Sequence, residues 1–227
     1  MTALVSIERI TTASPNRLIE QCAEVHQDQI RQGFLTTLGP RFLQLLYRKT
    51  ARSGNSFLFT AISEQEVVGF ACGITSMKGF YRQFIFPHGL LIFPLILPRL
   101  LSWNRVRSVL ELLRYPSKAD AKVELPQTQL LNLCVSNPSH RDAIGSLLLA
   151  AVAKEFDCRD VPDFRVVVGQ TRSEILRLCE AVGGQQVGET QVHKGAQSYI
   201  YVLDVEEVIR SDSREPAKPP PAPPVLP

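Results

Sequence analysis

The sequence lacks a strong charge imbalance, paired cysteines, an uninterrupted apolar run and any internal repeat, and each absence removes a class of function. Among 227 residues, 25 Lys and Arg stand against 22 Asp and Glu, a formal net charge of +3. That excess is too small to hold a nucleic-acid backbone by charge alone, so no nucleic-acid partner is expected. The five cysteines, Cys22, Cys72, Cys134, Cys158 and Cys179, stand far apart in apolar or helical contexts. An odd number without paired spacing reads as reduced thiols of a cytoplasmic protein, neither a disulfide framework nor a zinc site. The opening residues MTALVSIERI carry no charged-then-apolar pattern, which gives the expectation that the protein is not secreted. The apolar run from Gly89 to Leu101 is too short for a membrane span and is interrupted by Pro94 and Pro98. No Ser-His-Asp order, paired carboxylates or metal-ligand spacing stands out.

What is present centres on residues 129–156, QLLNLCVSNPSHRDAIGSLLLAAVAKEF. Leu130, Leu131, Leu133, Cys134 and Val135 form an apolar strand that breaks at Ser136-Asn137-Pro138. From Ile144 onward, Leu147, Leu148, Ala151, Val152 and Phe156 recur at helical spacing, so the segment is strand, polar turn, helix. The first N–H groups of a helix have no internal partners and sit at the positive end of its dipole, a ready site for a phosphate. Gly145, with no side chain, is expected to let that backbone approach the anion closely.

At these residues the chain resembles the GNAT superfamily of N-acetyltransferases, whose pyrophosphate loop, Gln/Arg-x-x-Gly-x-Gly/Ala, lies between a strand and a long helix. The register puts His140 at the first motif position, Ala143 at the first glycine and Gly145 at the second, so His140 and Ala143 depart from the pattern. Arg141 supplies a cation beside the departure. The resemblance implies acetyl-coenzyme A as co-substrate, held by Leu133, Cys134, Val135, His140, Arg141, Asp142, Ala143, Ile144, Gly145 and Ser146. It also implies a bulge that splays this strand from the next parallel one, with a backbone N–H of the strand on the thioester carbonyl.

The rest of the chain follows the family's order. A strand at 4–10 leads to a helix from about Pro15 to Ile30, a loop over Gln32 to Pro40 and a second helix over Arg41 to Ala51. A hairpin of Phe57 to Ile62 and Val67 to Thr75 turns at Ser63 to Glu66, with Gly69 and Gly73 marking a bulge or a close approach. After the central helix come a strand over Phe164 to Val168, a helix over Arg172 to Val182 that ends on Gly183-Gly184, and a closing hairpin, Val187 to His193 and Ser198 to Val205. The expected fold class is therefore α/β (α+β), a GNAT-like mixed and largely antiparallel sheet splayed at the cofactor strand and flanked by helices, with a helical insertion. Residues 1–205 make one domain. From Glu206 on, the Pro-rich end is expected to be disordered.

The catalytic residues are the least legible part. The family often carries a Glu near the position of Leu131, where only Asn132 and Gln129 are polar here. The helix over 173–184 matches the family's second coenzyme A segment, with Cys179 in place of the usual Tyr and Gly184 in place of Phe. Cys179 is the candidate general acid and Asn132 the polar group on the strand. Glu64, Glu66, His88, His193, Tyr81 and Tyr199 are weaker candidates without supporting spacing.

Phe34, on the loop between the first two helices, borders the acceptor site by family analogy, while core filling by Phe34 and Leu38 is the competing reading. Residues 77–124 exceed a minimal domain. Their aromatic residues, with Tyr81 and Phe84 foremost, wall an acceptor pocket in one reading; in the other, the cations around the apolar run make peripheral membrane contact through 86–110. The resemblance implies transfer of an acetyl group to the amine of a small molecule or sugar by a monomer or homodimer. A GNAT-like acyl-coenzyme A binding or membrane-associated module of weakened chemistry is the alternative.

Overall fold

The alternating and helical patterns resolve into one sheet covered on both faces. The computed structural model describes residues 4–31, 33–76, 79–80, 125–193 and 196–213. The strands are β1 (Ser6–Arg9), β2 (Ser56–Ser63), β3 (Glu66–Ile74), β4 (Gln129–Val135), β5 (Asp163–Gly169), β6 (Gln185–His193) and β7 (Ala196–Asp204). They lie in the order β1-β2-β3-β4-β5-β7-β6. Every neighbouring pair is antiparallel except β4 and β5, which run parallel and are joined across a helix.

The helices are α1 (Asn16–Gln29), α2 (Phe34–Thr37), α3 (Pro40–Arg52), α4 (Arg141–Asp157), α5 (Ser173–Ala181) and α6 (Val205–Asp212). One face of the sheet packs against α1 and α3 around Cys22, Leu43, Tyr47, Phe70 and Cys134. The opposite face packs against α4, α5 and α6 around Phe57, Leu148, Phe156, Phe164 and Leu203. Phe156 sits with its ring 5.0 Å from those of both Phe57 and Phe164, an aromatic cluster at the end of α4. Each such ring stabilises the fold by about 1.5–3 kcal/mol through burial. Gly183, at φ 79°, ends α5 in the left-handed conformation, as the Gly-Gly pair predicts. None of the described helices is long and apolar enough to cross a membrane.

Three expectations change. The stretch taken as a loop between the first two helices contains α2, tied back by Thr36 Oγ1 donating to Ile30 O at 2.5 Å, and its Leu38 fills the first core. The disorder expected from Glu206 on gives way to a helix over Val205–Asp212: Asp204 caps α6 by accepting from the Glu207 amide at 2.9 Å, and Val205 and Val208 are 1 % exposed against α4. Two buried valines in a charged segment leave too little pattern to announce a helix, and tertiary burial supplies what local sequence lacks. Finally, Phe80 belongs to the first core and is not a pocket wall. Tyr81, Phe84, the segment 86–110 and the expected helical insertion lie outside the described residues.

Candidate functional site

The site grows from a fault in the sheet. Opposite β3, Asn132 pairs with Cys72 and Leu130 with Gly73, so Leu131 is an extra residue bulged out of β4. A bulge of one residue turns two successive side chains to the same face, and Leu131 duly joins the α1 side with Cys134, while Leu130, Leu133 and Val135 face α4. Beyond the bulge β4 turns away from β5, and the two strands pair only at Gln129 with Arg165 and Leu130 with Val166. The result is a V, closed at Leu130 and open toward Val135 and Gly169.

The polarity of the V follows from ladder alternation. Ser136 donates its amide to Val68 O at 2.9 Å, so counting back by two, Cys134 and Asn132 also direct their backbone groups to β3. The amides of Leu133 and Val135 therefore point the other way, into the space that β5 has left. Cys134, expected among the cofactor contacts, has its amide committed to the sheet and its side chain buried in the first core. Gly69 permits the close crossing of β3 at this point, since a Cβ there would meet Cys134 O at 2.9 Å.

Two helices start at the open mouth. A 3₁₀ turn, Pro138–His140, leads into α4, with Asn137 Oδ1 accepting from the Ser139 amide at 2.9 Å. Arg141, the first residue of α4, donates from Nη2 to Gln29 Oε1 at 3.2 Å, so the last residue of α1 reaches the same rim. The other Arg141 nitrogen, Nη1, lies 3.4 Å from Glu174 Oε1, and Arg172 Nη1 lies 3.5 Å from that same oxygen. One carboxylate thus bridges two guanidinium groups, one from each strand's exit.

A buried polar pair lies on the α1 face. His26 Nδ1 is 2.5 Å from Tyr47 Oη, and the imidazole stacks on Phe70 with ring centroids 6.5 Å apart. His26 is 2 % exposed, and its Nε2 has no partner among the described residues. Burial, with the nearby Arg172 cation adding to it, lowers its pKa to about 4, so the ring is neutral at physiological pH. Burial holds the Tyr47 hydroxyl well above its ordinary value. Sequence reasoning missed His26, although the stripe Leu18, Cys22, His26 at intervals of four carries the signal of a histidine on an apolar face.

No protein-family model matches the chain, and no curated protein resembles it in sequence. Solved structures do resemble it in shape. A GNAT-family acetyltransferase from Desulfovibrio desulfuricans superposes with a TM-score of 0.52 at 14% identity, over 89% of this chain and 99% of that one. Arabidopsis thaliana NAA60, solved in complex with acetyl-CoA, gives 0.55 at 16% identity over 89% and 99%. The chain has the GNAT fold. An aminoglycoside 6'-N-acetyltransferase from Enterococcus faecium, at 0.52 and 10% identity over 88% and 97%, shares it as well.

Within this GNAT fold the residues singled out from sequence separate. His140, Asp142, Ala143 and Ser146 are exposed at the start of α4, and Ile144 and Gly145 are buried. Ser146 Oγ donates back to Asp142 O at 2.9 Å within the helix. Gly145 does not face the mouth: a Cβ there would stand 3.4 Å from Leu178 Cδ2 and 3.8 Å from Leu133 Cδ2, ordinary contacts with the core. A side chain at this position would pack against α5 and β4.

Cys179 is also corrected. It is 1 % exposed in the second core, and burial pushes its thiol up to about 12. A group that weakly acidic is mismatched to a departing thiolate, whose acid has a pKa of about 8.5. Asn132 lies half-buried next to the bulge on the α1 face, and α2 carries Phe34 beside α3. Glu64 and Glu66 are exposed at the β2–β3 turn.

Proposed function

We propose that this protein is an N-acetyltransferase that moves the acetyl group of acetyl-coenzyme A directly to an amine of a small molecule or sugar. The observation that carries the reading is the V between β4 and β5, with the Leu133 and Val135 amides turned into it. An extended thioester laid along β4 takes the place of the missing strand, and its amides and carbonyl pair with those backbone groups. The mouth, with the start of α4 and the Arg141 guanidinium, supplies donors and positive charge for the phosphates. His140, Asp142, Ala143 and Ser146 border that end, and Ile144 and Gly145 support it from within the helix.

The chemistry asks mostly for position. A neutral amine attacks the thioester carbon, the carbonyl oxygen gathers charge against a backbone N–H of β4, and the C–S bond breaks to release the thiolate. Asn132, beside the bulge, is placed to orient the amine. Proton transfer runs through solvent, since Cys179 is withdrawn from it. Phe34, Tyr81 and Phe84 are assigned to acceptor binding from the sequence, the last two outside the described residues, and the protein works in the cytoplasm as a monomer or homodimer. The aminoglycoside enzyme of the same fold supports an amine on a sugar as acceptor.

The buried Cys179 favours a second reading, an acyl-coenzyme A binding module without efficient transfer. Titration calorimetry with acetyl-coenzyme A, followed by a free-thiol assay over a panel of polyamines, amino sugars and peptides, separates the two. Binding with thiol release is the expected result. Binding without release across the panel supports the module, and no heat with acetyl- or longer acyl-coenzyme A overturns both.

A further inference from the structure

The two guanidinium groups on Glu174 make contacts that are long for ion pairs. Tight charge-assisted bonds between arginine and carboxylate run at about 2.7–2.9 Å, and arginine prefers two parallel bonds to separate oxygens. Here both contacts, at 3.4 and 3.5 Å, fall on the single oxygen Oε1. The three side chains are 14 to 28 % exposed, so solvent or an anion reaches them. Arg141 follows β4 and Arg172 follows β5, which places one cation on each lip of the V. Glu174, in the first turn of α5, is held between them from inside the protein.

We propose that Arg172 is a second phosphate-binding residue of the coenzyme site, set across the mouth from the α4 loop, and that Glu174 is an internal anion that occupies both arginines until coenzyme phosphates displace it. The inference rests on the V being the coenzyme site. A diphosphate offers each guanidinium its own oxygens, an arrangement that one shared carboxylate oxygen does not give. Displacement leaves the Glu174 carboxylate beside the bound phosphates, where like charge opposes them. Glu174 therefore sets the affinity of the site by competing with its ligand, and Arg172 contributes on the β5 lip.

Calorimetric titration of the full chain and of the Glu174→Gln and Arg172→Ala variants, with acetyl-coenzyme A, acetyl-pantetheine and inorganic pyrophosphate as probes, tests this. Glu174→Gln is expected to tighten acetyl-coenzyme A about tenfold, and Arg172→Ala to weaken it about tenfold, each about 1.4 kcal/mol. Acetyl-pantetheine, which has no phosphates at the mouth, is expected to bind all three proteins alike. Pyrophosphate binding that strengthens in Glu174→Gln locates the effect in the phosphates. Acetyl-coenzyme A binding that is unchanged in both variants, with circular dichroism showing them folded, overturns the proposal and leaves the coenzyme reading standing. Absence of acetyl-coenzyme A binding in all three proteins overturns both.

Discussion

The two ends of the β4–β5 seam share the same strands and differ in almost everything else. At the closed end, Gln129 and Leu130 pair with β5, Arg165 donates from Nε to Gln129 Oε1 at 3.1 Å in a buried setting, and the Phe57–Phe156–Phe164 cluster and α6 pack behind. At the open end the strands have parted, and the side chains are arginines and a glutamate in long contacts. Packing is concentrated where the ladder is complete, and backbone groups unpaired by β5 where it stops. The teaching is physical: backbone groups denied a partner by a bulge are a resource for a ligand, provided the other end of the seam holds the strands in place.

The comparison breaks most visibly if the closed end does not dominate stability. Phe156→Ala removes a fully buried ring and is expected to cost about 3–5 kcal/mol in chemical denaturation. A cost under about 1 kcal/mol would show that α4 is not anchored there.

On the α1 face, the buried His26 links stability to pH. His26 takes up a proton with a pKa of about 4 in the folded state against about 6.5 unfolded. As pH falls through 6.5, the unfolded chain binds the proton first, so this contribution to stability is complete above about pH 6.5 and is lost by about pH 4. The loss is on the order of 3 kcal/mol. Denaturation profiles of the native protein and His26→Asn between pH 7 and 4 are expected to differ in slope over that window, and parallel profiles would contradict the burial of a neutral ring.

A smaller effect belongs to α6. Val208→Ala is expected to lower stability by about 1–2 kcal/mol, because its side chain is 1 % exposed against α4. An unchanged melting temperature would detach α6 from the core.

Gly145 sharpens the line between the two ends at the lowest cost. Gly145→Ala adds a methyl at ordinary contact distance from Leu178 and removes a glycine from a helix interior, so a gain of up to about 1 kcal/mol is expected with affinity for acetyl-coenzyme A unaltered. Lost affinity in a stable Gly145→Ala protein would return Gly145 to the ligand.

Much of this arrangement was legible in the sequence because it is local. The β4 strand, the polar break and α4 announce themselves as an apolar run, a Ser-Asn-Pro turn and a 3.6-residue period, and Gly183 by its place after the last apolar residue of α5. That β4 carries a bulge came only through family resemblance, and its place at Leu131 only from the structure, since nothing in QLLNLCV distinguishes a bulged strand from a straight one. His26 and Tyr47 lie 21 residues apart, and Arg141 and Glu174 lie 33 apart, so their meeting is a property of the fold and not of any window of sequence. Cys179 misled for the opposite reason: a family position was matched, although a small thiol on a helix face more often fills the core, as it does here.

The proposed function requires that Leu133 and Val135, unpaired by β5 among the described residues, offer their amides to a coenzyme lying in the V. Backbone amide spectra of the isotope-labelled protein, recorded with and without acetyl-coenzyme A and followed by exchange into deuterated water, test it residue by residue. Leu133 and Val135 are expected to exchange rapidly alone and to become protected and shifted with the ligand, while Asn132 and Cys134, bonded to β3 throughout, are protected in both. Protection of Leu133 and Val135 that is already complete without ligand, or unaffected by saturating acetyl-coenzyme A, would contradict it.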